Sequence, residues 1–175
     1  MPISRRVSFE VFPPKKDLPL TPVKRAVAKL AKERPSFISV TYGAGGSANA
    51  NTAGIAEFVE RECATTALAH LTCVTATERD INKQVHALKA AGVQNVLALR
   101  GDIPQGVDIA GGKFKYAADL VRYLKKVAPK FCLGGACYPE RHPDCPHMVD
   151  DIAHLKDKVD AGLDFLTTQM FFDNN

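Results

Sequence analysis

The sequence lacks any apolar run longer than a β-strand, and it lacks the features that mark secretion, membrane insertion or nucleic-acid binding. Its first residues, MPISRRVSFEV, are basic but are not followed by an apolar region of signal-peptide length. The net charge of +4 is spread along mixed-sign helical segments, and no basic patch is interleaved with aromatic residues. We therefore expect a cytoplasmic protein that contacts neither membrane nor nucleic acid, and whose small positive surplus suits an anionic small molecule.

The sequence also lacks a paired cysteine motif. Its five cysteines are an odd number without a CxxC pair, so we expect reduced thiols. The segment CYPERHPDCPH contains four residues of zinc-binding types, namely Cys137, His142, Cys145 and His147. Their spacing is irregular and three prolines interrupt it, so we predict no metal site. A rigid loop that presents Tyr138, Glu140 and His142 to a cofactor is the favoured interpretation.

What is present is the composition of one soluble globular domain, since 46% of the 175 residues are hydrophobic and 24% are charged. Strand starts recur about every thirty residues, with helical patterns between nearly all of them, which predicts an α/β fold with parallel strands. The predicted strands are 7–12, 37–42, 67–73, 95–100, 131–137 and 165–172. The predicted helices are 21–33, 52–62, a helix capped by Thr75 and Glu78 that ends near Gly92, 116–127, and 148–161 with Ile152, Leu155 and Val159 on one face.

Two architectures fit this pattern, the open doubly wound sheet and the (β/α)8 TIM barrel. In five of the predicted strands, alternate residues on one side are polar: Ser8 and Glu10, Ser39 and Thr41, His70 and Thr72, Arg100 and Asp102, Thr167 and Gln169. Polar groups from five strands fit a barrel interior better than a flat sheet buried on both faces, so we favour the barrel. Closure needs eight strands and about 250 residues. Residues 1–175 are therefore expected to be a single, truncated barrel domain of about six βα units.

Several of these polar residues are candidates for a functional site. Arg100 and Asp102 follow the buried strand NVLAL, where parallel sheets bind ligands, although a strand-end salt bridge is the alternative. An inward Glu10 between Phe9 and Val11 would be desolvated and suited to proton donation, or it could be a paired structural carboxylate. His70 either faces the site or is a core histidine held by a hydrogen bond.

Nucleotide-binding fingerprints are not matched. The segment GAGGS at 43–47 follows a strand, but Ala48 stands where the GxGxxG pattern needs its last glycine, and no P-loop is present. The glycines are better explained as a βα loop that approaches a ligand closely.

Six segments in this order and spacing resemble the methylenetetrahydrofolate reductase family: SFEVFPPK, FISVTYGAGG, AHLTC, VLALRGD, ACYPERHP and LKDKVDAGLDFLTTQMFFD. The resemblance runs along the whole chain from Val7 onward. It implies a (β/α)8 barrel with FAD at the carboxyl ends of its strands, in an enzyme of one-carbon metabolism and methionine biosynthesis. NADH or NADPH reduces the flavin, which then passes hydride to methylenetetrahydrofolate and gives methyltetrahydrofolate. The full-length enzyme is expected to be a homo-oligomer.

The resemblance also implies roles for individual residues. The family's proton-donating glutamate falls on Glu10, its aspartate near the flavin ring on Asp102, and its folate-contacting glutamine on Gln169. The flavin-binding positions fall on Thr41, His70, Arg100, Gly101, Tyr116, Tyr138, His142, Asp151 and Lys158, with Asp102 among them. The methylene bridge must open to an iminium ion before it accepts hydride, and Glu10 would supply the proton that opening requires. Arg100, His142 and Lys158 are the cations suited to the pyrophosphate and adenine end.

Two other hypotheses remain open at this point. The chain could be a non-catalytic flavin-binding or interaction module, or it could be another barrel enzyme that binds phosphate at the same end of its strands.

Overall fold

The structure of the chain is a computed structural model that describes residues 6–14, 18–42, 49–103, 105–106 and 112–172. The glycine-rich loop at 43–47 lies outside the described residues. The described strands and helices alternate along the chain, as the sequence predicts. They are β1 (Ser8–Val11), α1 (Thr21–Ala31), β2 (Phe37–Val40), α2 (Asn49–Arg61), β3 (Ala67–Thr72), α3 (Glu78–Ala90), β4 (Asn95–Leu99), α4 (Ala117–Val127), β5 (Cys132–Cys137), α5 (Met148–Asp160) and β6 (Phe165–Thr168).

The strand order distinguishes the two predicted architectures. The six-stranded sheet has the order β1-β2-β3-β4-β5-β6, so every strand neighbours the next one in sequence. A doubly wound sheet reverses its order at a switch point, whereas a (β/α)8 barrel follows the chain without reversal. The order is therefore that of a barrel. The six predicted strands are confirmed, each shorter than predicted by one to four residues.

The chain forms two compact units. The first spans Met1–Leu71 and Asn82–Val96, and the second spans Thr72–Ile81 and Leu97–Asn175. In the first unit, β1 pairs with β2 in parallel, and β2 pairs with β3 in the same way. Helix α2 packs against β2, and its Ile55 and Val59 are fully buried.

In the second unit, α4 supplies most of the helical core. Its Leu120, Val121 and Leu124 are fully buried, as their helical spacing predicts. Strand β5 pairs with β6 in parallel, with Ala136 opposite Thr167. The pairing keeps the carboxyl ends of both strands at the same edge of this unit.

The N-terminus of α3 differs from the prediction. Thr77 and Asp80 form its capping pair, in which Asp80 Oδ2 accepts from the Thr77 amide at 2.9 Å and Thr77 Oγ1 accepts from the Asp80 amide at 3.2 Å. The predicted cap, Thr75 with Glu78, is wrong. Thr75 has a left-handed φ of 61°, and Glu78 instead forms an ion pair with Lys113 at 3.2 Å. Two overlapping threonine-to-acid spacings compete here, and the turn geometry at Thr75 selects the later one.

The apolar face predicted for α5 is present in sequence but is not buried. Ile152 is 59% exposed and Val159 is 40% exposed. Every residue of α5 is described, and none of them is buried. The periodicity predicted the helix correctly, but of the three residues on this face only Leu155 is half-buried.

Candidate functional site

A small polar cluster in the first unit joins three neighbouring strands, β1, β2 and β3. Glu10 on β1 stands directly opposite Ser39 on β2 in the parallel register. Ser39 Oγ donates a hydrogen bond to Glu10 Oε2 at 3.3 Å, and His70 Nε2 on β3 lies 3.5 Å from the same oxygen. We call these three residues the Glu10 cluster. Its members lie on the inward parity that the sequence predicts.

His70 is the buried member of this cluster. Its side chain is 10% exposed, and its Nε2 has no hydrogen-bond partner among the described residues, since the contact to Glu10 lacks hydrogen-bonding geometry. Burial lowers the pKa of the His70 imidazole, and the negative charge of Glu10 opposes this shift. A buried nitrogen with no partner is a position where a bound ligand could supply one.

Glu10 itself corrects one expectation. The sequence predicts a desolvated carboxylate, but the Glu10 side chain is 48% exposed. Its inward parity is as predicted, yet β1 is a terminal strand of the sheet, so fewer neighbours surround it. Solvent therefore reaches this carboxylate.

Thr41 follows β2 directly and is half-buried. Its amide donates to Val11 O at 3.0 Å, and its carbonyl accepts from Thr52 Oγ1 at 3.0 Å. Thr52 is a buried residue of α2, so these bonds fix the end of β2 against its helix.

A cavity of about 400 Å³ lies in the second unit and brings together six of the predicted flavin-binding residues. The six are Arg100, Tyr116, Tyr138, His142, Asp151 and Lys158. They come from the end of β4, the start of α4, the loop after β5 and one face of α5. A cavity at the carboxyl ends of parallel strands is the usual ligand site of such folds.

Arg100 carries the first cationic group of this cavity. Its Nη2 donates to Asp144 Oδ2 at 2.8 Å, and its Nε donates to Gly101 O at 3.2 Å. The hydrogen bond and the positive charge of Arg100 hold the pKa of Asp144 below its usual value. A guanidinium group has five N–H donors, so these two bonds leave others for an anion.

Gly101 has a structural reason to be glycine. Its φ of +85° is left-handed, and an added Cβ would lie 3.0 Å from Thr72 Cβ and 3.1 Å from Val74 Cγ1. The preceding carbonyl, that of Arg100, accepts from the Val74 amide at 2.8 Å. Asp102 follows as an exposed residue just beyond this turn, and it does not line the cavity.

The loop after β5 has contacts among its own residues, and of the three residues predicted to face a cofactor, Tyr138 and His142 line the cavity whereas Glu140 does not. The rings of Tyr138 and His142 meet edge to face, with centroids 4.6 Å apart. The His142 amide donates to Asp151 Oδ2 at 3.1 Å, and the Asp144 amide donates to His142 Nδ1 at 3.1 Å. Within the part of the chain that the structure describes, no three acidic, histidine or cysteine residues could hold a metal ion.

Lys158 brings a second cation to the cavity from α5. Its Nζ donates to Ala136 O, and burial lowers the pKa of its ammonium group. Tyr116 and His154 face each other across the cavity lining, with nearly parallel rings whose centroids are 6.5 Å apart. The lining therefore combines cations with flat aromatic surfaces.

Three residues of these sites were missed by the sequence interpretation as site residues. Ser39 was placed on the correct parity but was given no role. His154 had a usable signal, because Asp151, His154 and Lys158 follow helical spacing on one face. Asp144 had none, since its partner Arg100 is 44 residues away in the sequence.

Gln169 lies directly after β6 and is exposed. Its amide donates to Cys137 O at 2.7 Å, which extends the β5–β6 pairing by one bond. Gln169 does not line the cavity.

Among the helices of the described residues, none is long and apolar enough to cross a membrane.

The sequence is similar to those of known methylenetetrahydrofolate reductases. The sequence model of the family named Methylenetetrahydrofolate reductase matches residues 3–175. The 5,10-methylenetetrahydrofolate reductase of Salmonella typhimurium is 38% identical over 95% of this chain and 55% of its own length. Methylenetetrahydrofolate reductase (NADH) 1 of Zea mays is 37% identical over 96% of this chain and 30% of its own length. The chain thus spans about half of the bacterial relative and about a third of the plant relative.

Comparison of the structure gives the same fold class. A Clostridium thermocellum protein described as binding two copies of 5-methyl-5,6,7,8-tetrahydrofolic acid superimposes with a TM-score of 0.62. The superposition covers 97% of this chain and 55% of the other, at 15% sequence identity. That likeness establishes a TIM-barrel-like α/β fold. The family match over residues 3–175, together with sequence identity near 38%, shows that this chain belongs to the methylenetetrahydrofolate reductase family.

Proposed function

We propose that this chain is the FAD-binding barrel domain of a reductase that converts methylenetetrahydrofolate to methyltetrahydrofolate with NADH or NADPH as electron donor. The observation that carries the proposal is the cavity of the second unit. Apart from Asp102, nine positions are predicted to bind flavin, and six of these nine line the cavity. The family membership supplies the reaction class, and the name of the maize relative supports NADH as one donor.

The lining of the cavity fits the chemistry of a dinucleotide. Arg100 and Lys158 are cations suited to a pyrophosphate, because a guanidinium can bind phosphate oxygens in pairs and an ammonium adds a point charge. Tyr116, Tyr138 and His142 offer ring surfaces on which a planar heterocycle can pack. We propose that these five residues hold the cofactor, with Asp151 fixing the His142 backbone at 3.1 Å.

When bound, FAD supplies the hydride carrier that no side chain can provide. The residues of the chain are proposed to supply the proton and the charge around it. Glu10 donates a proton to the amine that leaves as the methylene bridge opens, and its 48% exposure allows it to be reprotonated from solvent. Asp102 would stabilise the cationic folate intermediate, and Gln169 would contact the folate. His70 offers its unpartnered Nε2 to a ligand.

The first test measures FAD binding to the purified chain by the change in flavin fluorescence. Lys158→Met should weaken binding by about tenfold or more, because a charge-assisted hydrogen bond contributes about 1.5–3 kcal/mol. Lys156→Met is the matched control on the same helix, since Lys156 is 74% exposed and pairs with Asp160. The control should bind FAD as the wild-type chain does. Equal weakening by both variants, or no binding by the wild-type chain, contradicts the proposal.

The second test separates the two half-reactions by stopped-flow absorbance of the flavin. Glu10→Gln removes the proton and keeps the shape, so reoxidation by methylenetetrahydrofolate should slow by about 10² to 10⁴. Reduction by the nicotinamide needs no proton on a leaving amine and should proceed at nearly the wild-type rate. Glu57→Gln, which alters an exposed ion pair with Arg61 on α2, should change neither rate.

The outcomes of the second test also decide between the remaining hypotheses. Flavin that binds and is reduced but is never reoxidised by the folate would favour a non-catalytic flavin-binding module. Equal slowing of both half-reactions by Glu10→Gln would assign Glu10 to positioning or folding.

A further inference from the structure

We infer that Ser39 is a positioning residue, whose hydroxyl holds the Glu10 carboxylate beside His70 in the Glu10 cluster. This inference concerns how the proposed proton donor is aimed, so its consequence for the reaction depends on the proposed function. The contact itself does not depend on it, because the three side chains meet without any ligand.

The two polar contacts of Glu10 fall on one oxygen. Ser39 Oγ is 3.3 Å from Glu10 Oε2, and His70 Nε2 is 3.5 Å from the same atom. In the described structure this leaves Oε1 as the oxygen that neither contact uses. A carboxylate held through one oxygen presents the other in a defined direction, which a proton donor requires.

Ser39 is suited to this task by its location. The parallel register sets it directly opposite Glu10 on the neighbouring strand, and it is only 5% exposed. A buried hydroxyl needs an acceptor within the protein. The two acceptors within reach are Glu10 Oε2 at 3.3 Å and Phe9 O at 3.5 Å. The carboxylate is the nearer one, and its charge makes the stronger bond.

Glu10 needs such a tether because solvent surrounds half of its side chain. A glutamate side chain has three rotatable bonds, and burial or bonding must fix them before the carboxylate has one direction. The contact with His70 cannot fix them alone, because it lacks hydrogen-bonding geometry. Ser39 supplies the hydrogen bond that His70 does not.

The test measures the titration of His70, which depends on how close the Glu10 carboxylate lies. Burial lowers the pKa of the His70 imidazole, and the negative charge of Glu10 opposes that shift. If the carboxylate moves away, the midpoint of the His70 titration should therefore fall. Glu10 is the charged group that faces His70 in this cluster, and Ser39 is its uncharged neighbour. NMR titration of the chain with isotope-labelled histidine gives the midpoint, and the His70→Gln variant identifies the signal among the five histidines.

Glu10→Gln should shift the His70 midpoint to lower pH, because the negative charge is removed. Ser39→Ala should shift it in the same direction and by a smaller amount, because the carboxylate remains but moves into solvent. Ser39→Thr keeps the hydroxyl and should retain the wild-type midpoint. Ser36→Ala is the matched control, since Ser36 precedes the same strand and is exposed. Its midpoint should equal that of the wild-type chain.

Two results would overturn the inference. One is a Ser39→Ala midpoint equal to wild type while Glu10→Gln lowers it, since the carboxylate would then stay without Ser39. The other is a Glu10→Gln midpoint equal to wild type, since the cluster would not exist in solution. If Ser39→Ala does not fold, Ser39→Cys replaces it, because a thiol keeps the volume and donates only weakly. Ser39→Cys should lower the midpoint as Ser39→Ala would.

A second readout connects the cluster to the reaction. In the flavin-loaded protein, Ser39→Ala should slow reoxidation by the folate by about ten- to a hundredfold, as misplacement of a catalytic group does. Reduction by the nicotinamide should be unchanged. Failure of FAD binding would contradict the proposed function and leave the NMR result intact, so the two failures are distinguishable.

Discussion

Two successive helices of the second unit, α4 and α5, have similar apolar periodicity but differ in how much of each helix is buried. Helix α4 buries Ala118, Leu120, Val121 and Leu124. Helix α5 buries no residue, and its Val149 is 77% exposed. Asp151, His154 and Lys158 of α5 line the cavity instead, together with Leu155. Periodicity therefore identifies a helix and its faces, whereas burial depends on what the rest of the protein places against each face.

The largest expected effect is on α4. Leu124→Ala removes a fully buried side chain and leaves a cavity, so the free energy of unfolding should fall by about 2–5 kcal/mol. Urea denaturation followed by circular dichroism measures this change. Lys126→Ala, an exposed position on the same helix, should stay within about 0.5 kcal/mol of wild type. A loss below about 1 kcal/mol for Leu124→Ala would contradict the role of α4 as the core helix.

The next effect concerns the contact between β5 and β6, which are packed closely against each other at Gly134 and Phe165. A Cβ added at Gly134 would lie 2.3 Å from Cζ of the Phe165 ring. Gly134→Ala should therefore lower the free energy of unfolding by about 1–3 kcal/mol through overpacking. The melting temperature, followed by circular dichroism, measures the loss.

The control for that prediction is Gly54→Ala in α2, where the nearest atom would be 3.9 Å away. This variant should be neutral or more stable by up to about 1 kcal/mol, because alanine favours a helix. Adding Phe165→Leu to Gly134→Ala should recover part of the loss by removing ring atoms. If Gly134→Ala is as stable as wild type, β6 is not packed against β5 as described.

The sequence predicts local order well, and the comparison of α4 with α5 shows where it stops. The alternation of strands and helices follows from periodicity and from turn residues, which are local properties. The cap of α3 failed even locally, because Thr75 and Thr77 both stand three residues before an acid. Register and coverage are long-range, so the Ser39 to Glu10 bond across 29 residues needed the structure.

The candidate site divides in the same way. The family resemblance supplied the predicted flavin-binding positions, of which Tyr138 and Lys158 are among those that line the cavity. It did not supply Asp144, because the pairing of Asp144 with Arg100 depends on the folding of a loop 44 residues further along. The exposure of Glu10 was also mispredicted, since parity gives the direction of a side chain but not the number of its neighbours.

A smaller effect is expected at Asp164, which joins α4 to the start of β6. Its Oδ2 accepts from the Leu133 amide at 2.8 Å and from Lys125 Nζ at 3.0 Å. The bond from the Leu133 amide, helped by Lys125, lowers the pKa of Asp164 in the folded chain. The stability that this carboxylate contributes is therefore present above its unfolded pKa, about 3.9, and is lost as pH falls through the lower folded pKa.

Asp164→Asn keeps an acceptor and removes the charge. The variant should lose roughly 1 kcal/mol at pH 7, because the side chain is 46% exposed and solvent screens the ion pair. The difference from wild type should shrink as the pH falls below about 4, because Asp164 is then protonated first in the unfolded chain and, at lower pH, in the folded chain. Urea denaturation at pH 7 and at pH 3 measures both values. A difference that grows toward low pH would contradict the assigned direction of the shift.

The smallest effect returns to α5. Ile152→Ala removes as many apolar groups as a core substitution would, but Ile152 is 59% exposed, so the free energy of unfolding should change by less than about 0.5 kcal/mol. Urea denaturation of the 175-residue chain measures it beside Leu124→Ala. A loss above about 2 kcal/mol would mean that Ile152 is covered in solution, and sedimentation of the wild-type chain would then show whether a second copy covers it. A small loss would agree with an α5 that contacts this unit through its cavity-facing side, where Lys158 donates to Ala136 O, and not through Ile152.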